Sequence, residues 1–319
     1  MRHHAEECIP LARQWIENFA PAKHKPITIN DGISAKKREI IVPTVREIVV
    51  QNAMVEVMKP IFMRGMYEHS CASIPGKGLH SAVKRVKRWI QNDHANTKYC
   101  LKLDIHKFFD SIDQDVLLRK LRKLIRDDRF YDLLEKVIRT TDSGIPLGFT
   151  TSQWFANFLL TELDHKIKEE YHVKYYVRFM DDMILFGSNK RKLHRVRKEI
   201  SGYLEAELHL QLKGNWQVFL MDSTRVKKKG RYLDFLGFKF FRNHIGLRGK
   251  LALRIQRKAK RIYRKGHANV RDARQMAIYA GLAKYANCRK WFREHVTRYV
   301  CIRNMRLIIS RYDRARSFA

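Results

Sequence analysis

The amino-acid sequence predicts an α+β fold in which a mixed region of strands and helices precedes a helical module. Up to about residue 241, segments in which polar and apolar residues alternate, as in strands, are mixed with segments whose apolar residues recur at helical spacing. From Leu251 onwards the pattern is helical to the end. The chain has 319 residues, of which 45% are hydrophobic, so it can fill a substantial core. This order of elements indicates an α+β domain and a separate helical module.

The first part of the chain carries both strand and helix signals. Residues 1–35 are expected to form a short helix and a polar connector. Residues 36–43 alternate in polarity and then become apolar, as in a strand. Over residues 46–67 the apolar residues recur at helical spacing, and Pro60 is expected to interrupt this helix. A glycine-bearing loop then leads to a basic helix over residues 81–92.

The middle of the chain continues this mixture of strand and helix patterns. Strands are predicted over residues 98–109, over 175–187 as two strands joined by a tight turn, and over 232–241. Helices are predicted over residues 111–128, where Ser111 is expected to cap the helix, over 144–171 after a turn, and over 191–208.

Charge is the unusual feature of the composition. The sequence has 65 Lys and Arg against 32 Asp and Glu, a formal net charge of +33. Such a field attracts polyanions, of which nucleic acid is the commonest in cells. Residues 251–319 are the most basic part, with 19 Lys and Arg against 3 Asp and Glu. A solvated helical surface is the alternative for this region, but the charge density favours contact with a nucleic-acid backbone.

Other classes of protein fit the sequence less well. No stretch approaches the length of a membrane-spanning helix, and the first residues lack the long apolar centre of a signal peptide. The five cysteines are scattered, without the spacing of a zinc site or a disulfide framework. We therefore expect a cytoplasmic protein with reduced cysteines and no membrane partner.

Three aspartates lie in or beside apolar strands. Asp181 and Asp182 interrupt the apolar run YYVRFMDDMILFG, in which the nearest cation is Arg178, and Asp104 ends the strand pattern CLKLD. A bare carboxylate is costly to bury, so these acids need a partner. Neighbouring strands could bring the acids together around Mg²⁺, a cation that takes oxygen ligands. The alternative is a polar hairpin turn, with Asp104 as a helix cap.

The combination of acids and positive charge favours metal-dependent phosphoryl transfer on nucleic acid. Two Mg²⁺ ions, with Mn²⁺ as an alternative, would activate a 3′-hydroxyl and stabilise the leaving pyrophosphate. At this point five segments, in the right order, resemble the motifs of bacterial reverse transcriptases from mobile elements. They are a finger segment at 43–83, LDIHKFFDSID at 103–113, GIPLGFTTSQWFAN at 144–157, FMDD at 179–182 and the primer-grip segment DFLGFKFF at 234–241.

The resemblance implies a right-hand polymerase with fingers, a palm built on an antiparallel sheet and a helical thumb. It places an N-terminal extension and fingers at residues 1–98 and the palm at 99–247, with a finger insertion near 114–143. The basic thumb would then be residues 248–319. The implied activity is RNA-directed DNA polymerisation from dNTPs, by a bacterial enzyme of the group II intron-like, diversity-generating retroelement or defence-associated type.

The same resemblance implies roles for individual residues. Asp104, Asp181 and Asp182 would hold the metals, with a contribution from the backbone of Ile105. Phe109 matches the bulky gate that excludes a ribose 2′-hydroxyl, although it could instead be plain core like its neighbour Phe108.

Further residues match the nucleotide-binding segments of the family. Arg38 would grip the triphosphate, with a solvated basic strand as the alternative. Leu147, Gly148 and Gln153 occupy the third motif, where many relatives have Gln in place of Leu147. Loss of that polar side chain would loosen base selection, because fewer hydrogen bonds report a misfit. Lys213 lies near the fourth motif, which lacks its usual paired lysines, so a role in protonating pyrophosphate is doubtful.

The implied partners are a structured non-coding RNA as template, the cDNA product and dNTPs. An accessory protein or a second copy of the chain is a further candidate. The expected RNA contacts lie in the basic helices, at Arg254, Arg257, Lys258, Arg261, Lys284 and Arg289.

The biological setting is open between several hypotheses. No nuclease segment follows the thumb, which disfavours a complete, self-mobile intron protein. Defence against phage, by copying an associated RNA, is the first hypothesis. A diversity-generating enzyme that makes mutagenic cDNA is the second, because the LGxxxSQ arrangement from Leu147 to Gln153 is characteristic of that class. A non-catalytic RNA-binding protein on a polymerase fold is an alternative of another class, and a DNA-templated or template-independent polymerase is a further one.

Overall fold

The protein has the mixed α+β structure that the sequence predicts. The computed structural model describes residues 5–30, 37–221 and 230–317. The chain divides into two compact units. Of the described residues, the first unit contains 5–30, 37–82 and 95–219, and the second contains 83–94, 220–221 and 230–317. The boundaries of fingers, palm and thumb stay predictions.

The first unit surrounds a four-stranded sheet with helices. Its elements are α1 (Ala5–Glu17), β1 (Ile27–Asn30), β2 (Lys37–Ile40), α2 (Val45–Gly65), the first residues of α3 (Leu79–Asn92), β3 (Tyr99–Leu103), α4 (Phe108–Ser111), α5 (Gln114–Arg122), α6 (Asp128–Ile138), α7 (Thr150–Leu159), α8 (Thr161–Glu169), β4 (Tyr175–Phe179), β5 (Asp182–Gly187), α9 (Lys190–Leu208) and β6 (Gln217–Leu220), whose last residue belongs to the second unit.

The central sheet has the strand order β4-β5-β3-β6. β5 pairs antiparallel with β4 on one side and with β3 on the other, as the tight turn predicted within residues 175–187 requires. The inner positions of these strands are buried, and α9 packs on β3 and β5. Outside this sheet, β1 and β2 form a separate antiparallel pair, and β1 lies within the region predicted as a polar connector.

Helix α2 shows how packing overrides local propensity. It begins at a capping box, in which Thr44 and Glu47 exchange side-chain and backbone hydrogen bonds. The prediction that Pro60 interrupts the helix is wrong, because α2 continues to Gly65. The proline removes one backbone hydrogen bond, but the face on either side of it stays buried. Phe62, for example, stacks on Phe158 of α7 with ring centroids 4.8 Å apart.

Two of the predicted helices differ from the helices in the structure. The Asp113 carboxylate accepts backbone hydrogen bonds at the start of α5, so the predicted Ser111 cap is wrong. The helix predicted over 111–128 ends at Arg122 instead, and α6 is a separate helix that was not predicted from the sequence. A second cap, Asp127, begins α6 by accepting from the Phe130 N–H. The single helix predicted over 144–171 is divided into α7 and α8 at Leu160.

The second unit combines a three-stranded sheet with the C-terminal helices. Its elements are the remainder of α3, β7 (Leu233–Phe235), β8 (Phe238–Phe240), β9 (Ile245–Leu247), α10 (Gly249–Lys265), α11 (Val270–Ala283), α12 (Arg289–Phe292), a π-helical turn (Arg293–Thr297) and α13 (Ile302–Ser317). The strand predicted over 232–241 is a hairpin, because Leu236 and Gly237 both adopt positive φ between β7 and β8. No helix in the described ranges is long and apolar enough to span a bilayer.

Candidate active site

Three aspartates meet at one end of the central sheet. Asp104 is the first residue after β3, and Asp182 is the first residue of β5. The register pairs Leu103 with Met183, so Asp104 lies beside Asp182 at the end of this strand pair. Asp181 is in the two-residue turn between β4 and β5. The structure therefore brings together the three acids that the sequence singled out.

The Asp181 carboxyl has a strongly raised pKa. Burial is the main cause, and it raises the pKa of the Asp181 carboxyl to about 7. The neighbouring carboxylates of Asp104 and Asp182 raise the pKa further, and Asp104 also shares a hydrogen bond with Asp181. Without a bound cation, a proton therefore sits among these acids close to neutral pH.

Lys213 is the cation that faces the acidic cluster. Its Nζ donates to Asp104 Oδ1 at 2.5 Å, and its backbone N–H donates to the Asp104 carbonyl at 2.8 Å. Sequence reasoning placed Lys213 near the site but left its role in doubt. The two residues are 109 positions apart, so local spacing could not indicate that they touch.

The backbone at Ile105 is oriented by the same segment. Ile105 forms an antiparallel bridge with Leu212, and the flanking hydrogen bonds are made by the Lys213 and His106 N–H groups. A residue between two such bonds is a non-hydrogen-bonded position, whose own carbonyl points away from the partner strand. The Ile105 side chain is fully buried, so only its carbonyl is suited to bind a cation.

Arg178, the nearest cation to the acidic pair in the sequence, faces the opposite way. Its guanidinium is fully buried and pairs with Asp164 of α8 at 2.6 Å. The guanidinium also donates to the Met180 carbonyl at 3.2 Å, beside Asp181. Sequence reasoning missed this network, for which the available signal was an arginine in the middle of an apolar strand.

Phe109 lies in α4, five residues after Asp104, at the edge of the core. Its ring is half-buried and contacts Phe108 edge-on, with centroids 5.6 Å apart, while Phe108 is buried in the core. The Phe109 carbonyl accepts from the Ile145 N–H at 2.9 Å, which ties the loop before α7 to this position. A half-buried ring at this place suits a gate or a core residue.

The loop that contains Leu147 and Gly148 is joined to the strand of Arg38. The Ile41 N–H, just beyond β2, donates to the Leu147 carbonyl at 2.8 Å. Gly148 has φ +121°, and a Cβ there would lie 2.1 Å from the Ile41 carbonyl oxygen, so only glycine fits. The structure brings Arg38 and this loop into one region and leaves Arg38 and Gln153 exposed.

The predicted RNA contacts lie in the second unit. Four of them line a groove of about 400 Å³ on α10 and α11. Its lining residues are Lys250, Leu253, Arg254, Arg257, Lys258, Arg261, Gln275 and Tyr279. Lys258 is paired with Asp272 at 2.6 Å, so part of its charge is neutralised within the unit. Lys284 and Arg289 are exposed but lie outside this groove.

The donor set of the acidic cluster fits a hard divalent cation. Within residues 5–30, 37–221 and 230–317, no three His, Cys, Asp or Glu side chains form a ready-made ligand group. Mg²⁺ does not need one, because it usually binds through one or two carboxylates together with substrate phosphates. Asp104 and Asp181 are close enough to share a proton, which a cation would replace. These two residues, Asp182 and the Ile105 carbonyl are the groups that could hold metal.

Replacing Asp181 with Asn should stabilise the metal-free protein more strongly as the pH rises. The folded-state pKa of Asp181 lies above its unfolded value, so the folded protein binds the extra proton, and this group lowers stability as pH rises towards 7. Between pH 5 and pH 8, the stabilisation by D181N should grow by about 2–3 kcal/mol. Thermal or urea unfolding across this range measures the difference.

Two controls define this experiment. D110N removes an exposed carboxylate on α4 and should show no comparable growth with pH. Added Mg²⁺ at pH 8 should stabilise the wild type more than D181N. A stability difference between D181N and wild type that does not change with pH would contradict the assignment.

The chain is similar in sequence to known reverse transcriptases. Residues 23–240 match the family model described as reverse transcriptase (RNA-dependent DNA polymerase). Protein YkfC of Escherichia coli K12 is 25% identical over 265 residues, which cover 70% of this chain and 67% of YkfC. The retron Ec73 reverse transcriptase of Escherichia coli is 32% identical over 109 residues, 30% of this chain and 34% of that protein.

A third relative is the group II intron-encoded protein LtrA of Lactococcus lactis, which is 27% identical over 141 residues. That match covers 41% of this chain and 23% of LtrA. The chain thus spans about a third or less of the length of the retron and intron proteins that it matches.

The fold is similar to that of telomerase. Telomerase from Candida albicans, solved with the TWJ fragment of telomeric RNA, gives a TM-score of 0.54 at 14% identity. The match covers 74% of this chain and 46% of the telomerase chain. Telomerase from Candida tropicalis gives 0.55 at 12% identity, covering 86% and 56%. With a family match over most of its length and this shared fold, the protein belongs to the reverse transcriptase (RNA-dependent DNA polymerase) family.

Proposed function

We propose that the protein polymerises DNA on an RNA template, with Asp104, Asp181 and Asp182 as its metal-binding residues. The observation that carries this proposal is the meeting of these acids at one end of the sheet in a member of the reverse transcriptase family. Two Mg²⁺ ions, or Mn²⁺, would supply activation of the 3′-hydroxyl and charge neutralisation at the leaving pyrophosphate.

The remaining roles belong to the side chains around the acids. Lys213 holds the Asp104 carboxylate in place and neutralises part of its charge. Arg38 is exposed on a strand that adjoins the Leu147–Gly148 loop, and its guanidinium is suited to bind the triphosphate of an incoming dNTP. Phe109 would lie under the ribose and exclude a 2′-hydroxyl.

We further propose that the template is a structured non-coding RNA held by the basic helices of the second unit. The groove on α10 and α11 presents several cations around one exposed leucine, which suits a phosphate backbone with nearby sugar or base surfaces. Copying such an RNA in defence against phage is the favoured setting. Sequencing the nucleic acid that copurifies with the protein, and the DNA made from it, tests this assignment.

A second candidate setting is the production of mutagenic cDNA. Leu147 stands where many relatives have a glutamine, and Gln153 on the same motif is exposed. With fewer polar contacts to report a mismatch, base selection would loosen. A template/variable repeat pair beside the gene would favour this setting, and a high misincorporation rate would support it.

The paired replacement D181N,D182N should lower dNTP incorporation by about 10³-fold or more, because it removes charged oxygen ligands from the acidic cluster. RNA affinity should stay close to that of the wild type, since the predicted RNA contacts lie in the second unit. Magnesium-dependent incorporation of labelled dNTP and a filter-binding assay measure the two properties. Wild-type incorporation by the variant would refute the mechanism, and a wild-type protein inactive on every template would favour a non-catalytic RNA-binding role.

Replacing Phe109 with Ala should let the enzyme accept ribonucleotides. If the ring excludes the 2′-hydroxyl, discrimination between dNTP and rNTP should fall by about 10–100-fold. The ratio of kcat/KM for a matched dNTP and rNTP pair measures this effect. F108L is the control, because Phe108 is buried in the core and its truncation should lower stability without changing the ratio. Unchanged discrimination in F109A would assign Phe109 to the core.

The triple replacement R254Q,R257Q,R261Q should weaken RNA binding and flatten its salt dependence. Loss of three phosphate contacts should lower the slope of log K against log salt by about 2 for single-stranded RNA. The matched control is R191Q,R195Q,K198Q on α9, which removes the same charge from exposed positions in the first unit. Equal effects of the two triple variants would reject the groove as a specific RNA contact.

A further inference from the structure

We propose that Arg178 is a positioning residue that fixes the turn carrying Asp181. The turn consists of Met180 and Asp181, between Phe179 of β4 and Asp182 of β5. This inference rests on the proposed role of Asp181 as a metal-binding residue. It extends that role to a fully buried group whose guanidinium donates to the Met180 carbonyl of the turn.

The Arg178 guanidinium is fully used within the protein. Its five N–H groups have acceptors on three residues of the protein. Its Nε and Nη2 atoms donate to the Asp164 carboxylate at 2.8 and 2.6 Å, respectively. The remaining donors reach the Asn157 side-chain oxygen at 3.1 Å, the Asn157 carbonyl at 3.3 Å and the Met180 carbonyl at 3.2 Å.

Asp164 makes this buried charge tolerable. Both side chains are fully buried, and each would be costly without the other. Burial alone would lower the pKa of Arg178, but the Asp164 carboxylate more than offsets this effect, so the guanidinium stays charged. The Tyr176 hydroxyl donates to Asp164 at 2.6 Å on a separate bond. Tyr176 therefore supports the carboxylate, and Arg178 links the carboxylate to the turn.

The backbone of Arg178 is held as firmly as its side chain. Its N–H donates to the His69 carbonyl at 3.1 Å, and its carbonyl accepts from the Cys71 N–H at 2.9 Å. Asn157, which accepts from the guanidinium, also donates from Nδ2 to the Ala72 carbonyl at 2.9 Å. The guanidinium is consequently fixed in place on both sides and can act as a rigid support for the turn.

The turn needs such a support because Met180 is in a strained conformation. Met180 has φ +59°, whereas Asp181 is not among the described residues with positive φ. A tight turn with positive φ at its first position normally has glycine there, since a side chain makes this conformation unfavourable. Such strain persists only where the surroundings enforce it. The bond from Arg178 to the Met180 carbonyl orients the peptide that leads directly into Asp181.

Lysine could not reproduce this arrangement. A lysine ammonium is a point charge with three donors, whereas the planar guanidinium reaches acceptors on opposite sides at once. R178K would keep a charge beside Asp164 but could not also hold Asn157 and Met180. The turn would then relax, and Asp181 would move relative to Asp104.

The experiment compares R178K with Y176F in magnesium-dependent dNTP incorporation. R178K should lower kcat per folded molecule by about 100-fold, as expected for a small displacement of a reacting group, with little change in KM for dNTP. Y176F should lower the melting temperature but leave kcat unchanged, because its hydroxyl does not contact the turn. The folded fraction is measured by circular dichroism in the same samples.

Two further variants separate positioning from stability. In D164L,R178M both buried charges are removed together, so no unpaired charge remains, and the same loss of kcat is expected. Adding M180G to R178K should recover part of the lost kcat, because glycine adopts positive φ without strain.

The outcomes distinguish this inference from the proposed chemistry. R178K with wild-type kcat per folded molecule, or a loss of kcat that M180G does not relieve at all, would overturn the positioning role while D181N,D182N stays inactive. Incorporation by D181N,D182N at the wild-type rate would instead overturn the chemistry on which the inference rests.

Discussion

The candidate site depends on the register between β3 and β5. Pairing of Leu103 with Met183 places Asp104 at the same end of the sheet as the turn that follows β4. A slip of one residue would transfer every side chain of a strand to the opposite face. The inner positions of β5 are buried on both faces of the sheet, so such a slip would replace well-fitting core contacts with poorly fitting ones. Core packing thus determines where the carboxylates meet.

Lys213 and Arg178 are two cationic residues near this end of the sheet, and they have different contacts there. Lys213 contacts Asp104 directly from a segment that is partly exposed. Arg178 is buried with Asp164 and is linked to the site through the Met180 carbonyl. One cation therefore offsets negative charge, and the other supports the backbone that carries it. Two of the acids, Asp104 and Asp181, lie close enough to share a hydrogen bond.

Much of the site could be predicted because its acids stand out locally. Asp104 and the Asp181–Asp182 pair are polar interruptions of apolar strands, and a tight turn between two strands is a short-range feature. Helix α6 was not predicted, and the division between α7 and α8 was harder to predict because apolar periodicity continues past the break at Leu160. Pro60 predicted a helix end that the structure does not have, because burial of α2 compensates for the missing hydrogen bond.

The sequence by itself determined the α+β order of elements, the strongly positive net charge and the identity of the three acids. Each follows from composition or from spacing within one element. Only the tertiary structure decided which cation faces those acids. Arg178 is nearest in sequence, yet its side chain lies in the core with Asp164, whereas Lys213 reaches Asp104 from 109 residues away. The physical reason is that spacing orients a side chain within its own strand, while its partner depends on which other segments pack against that strand.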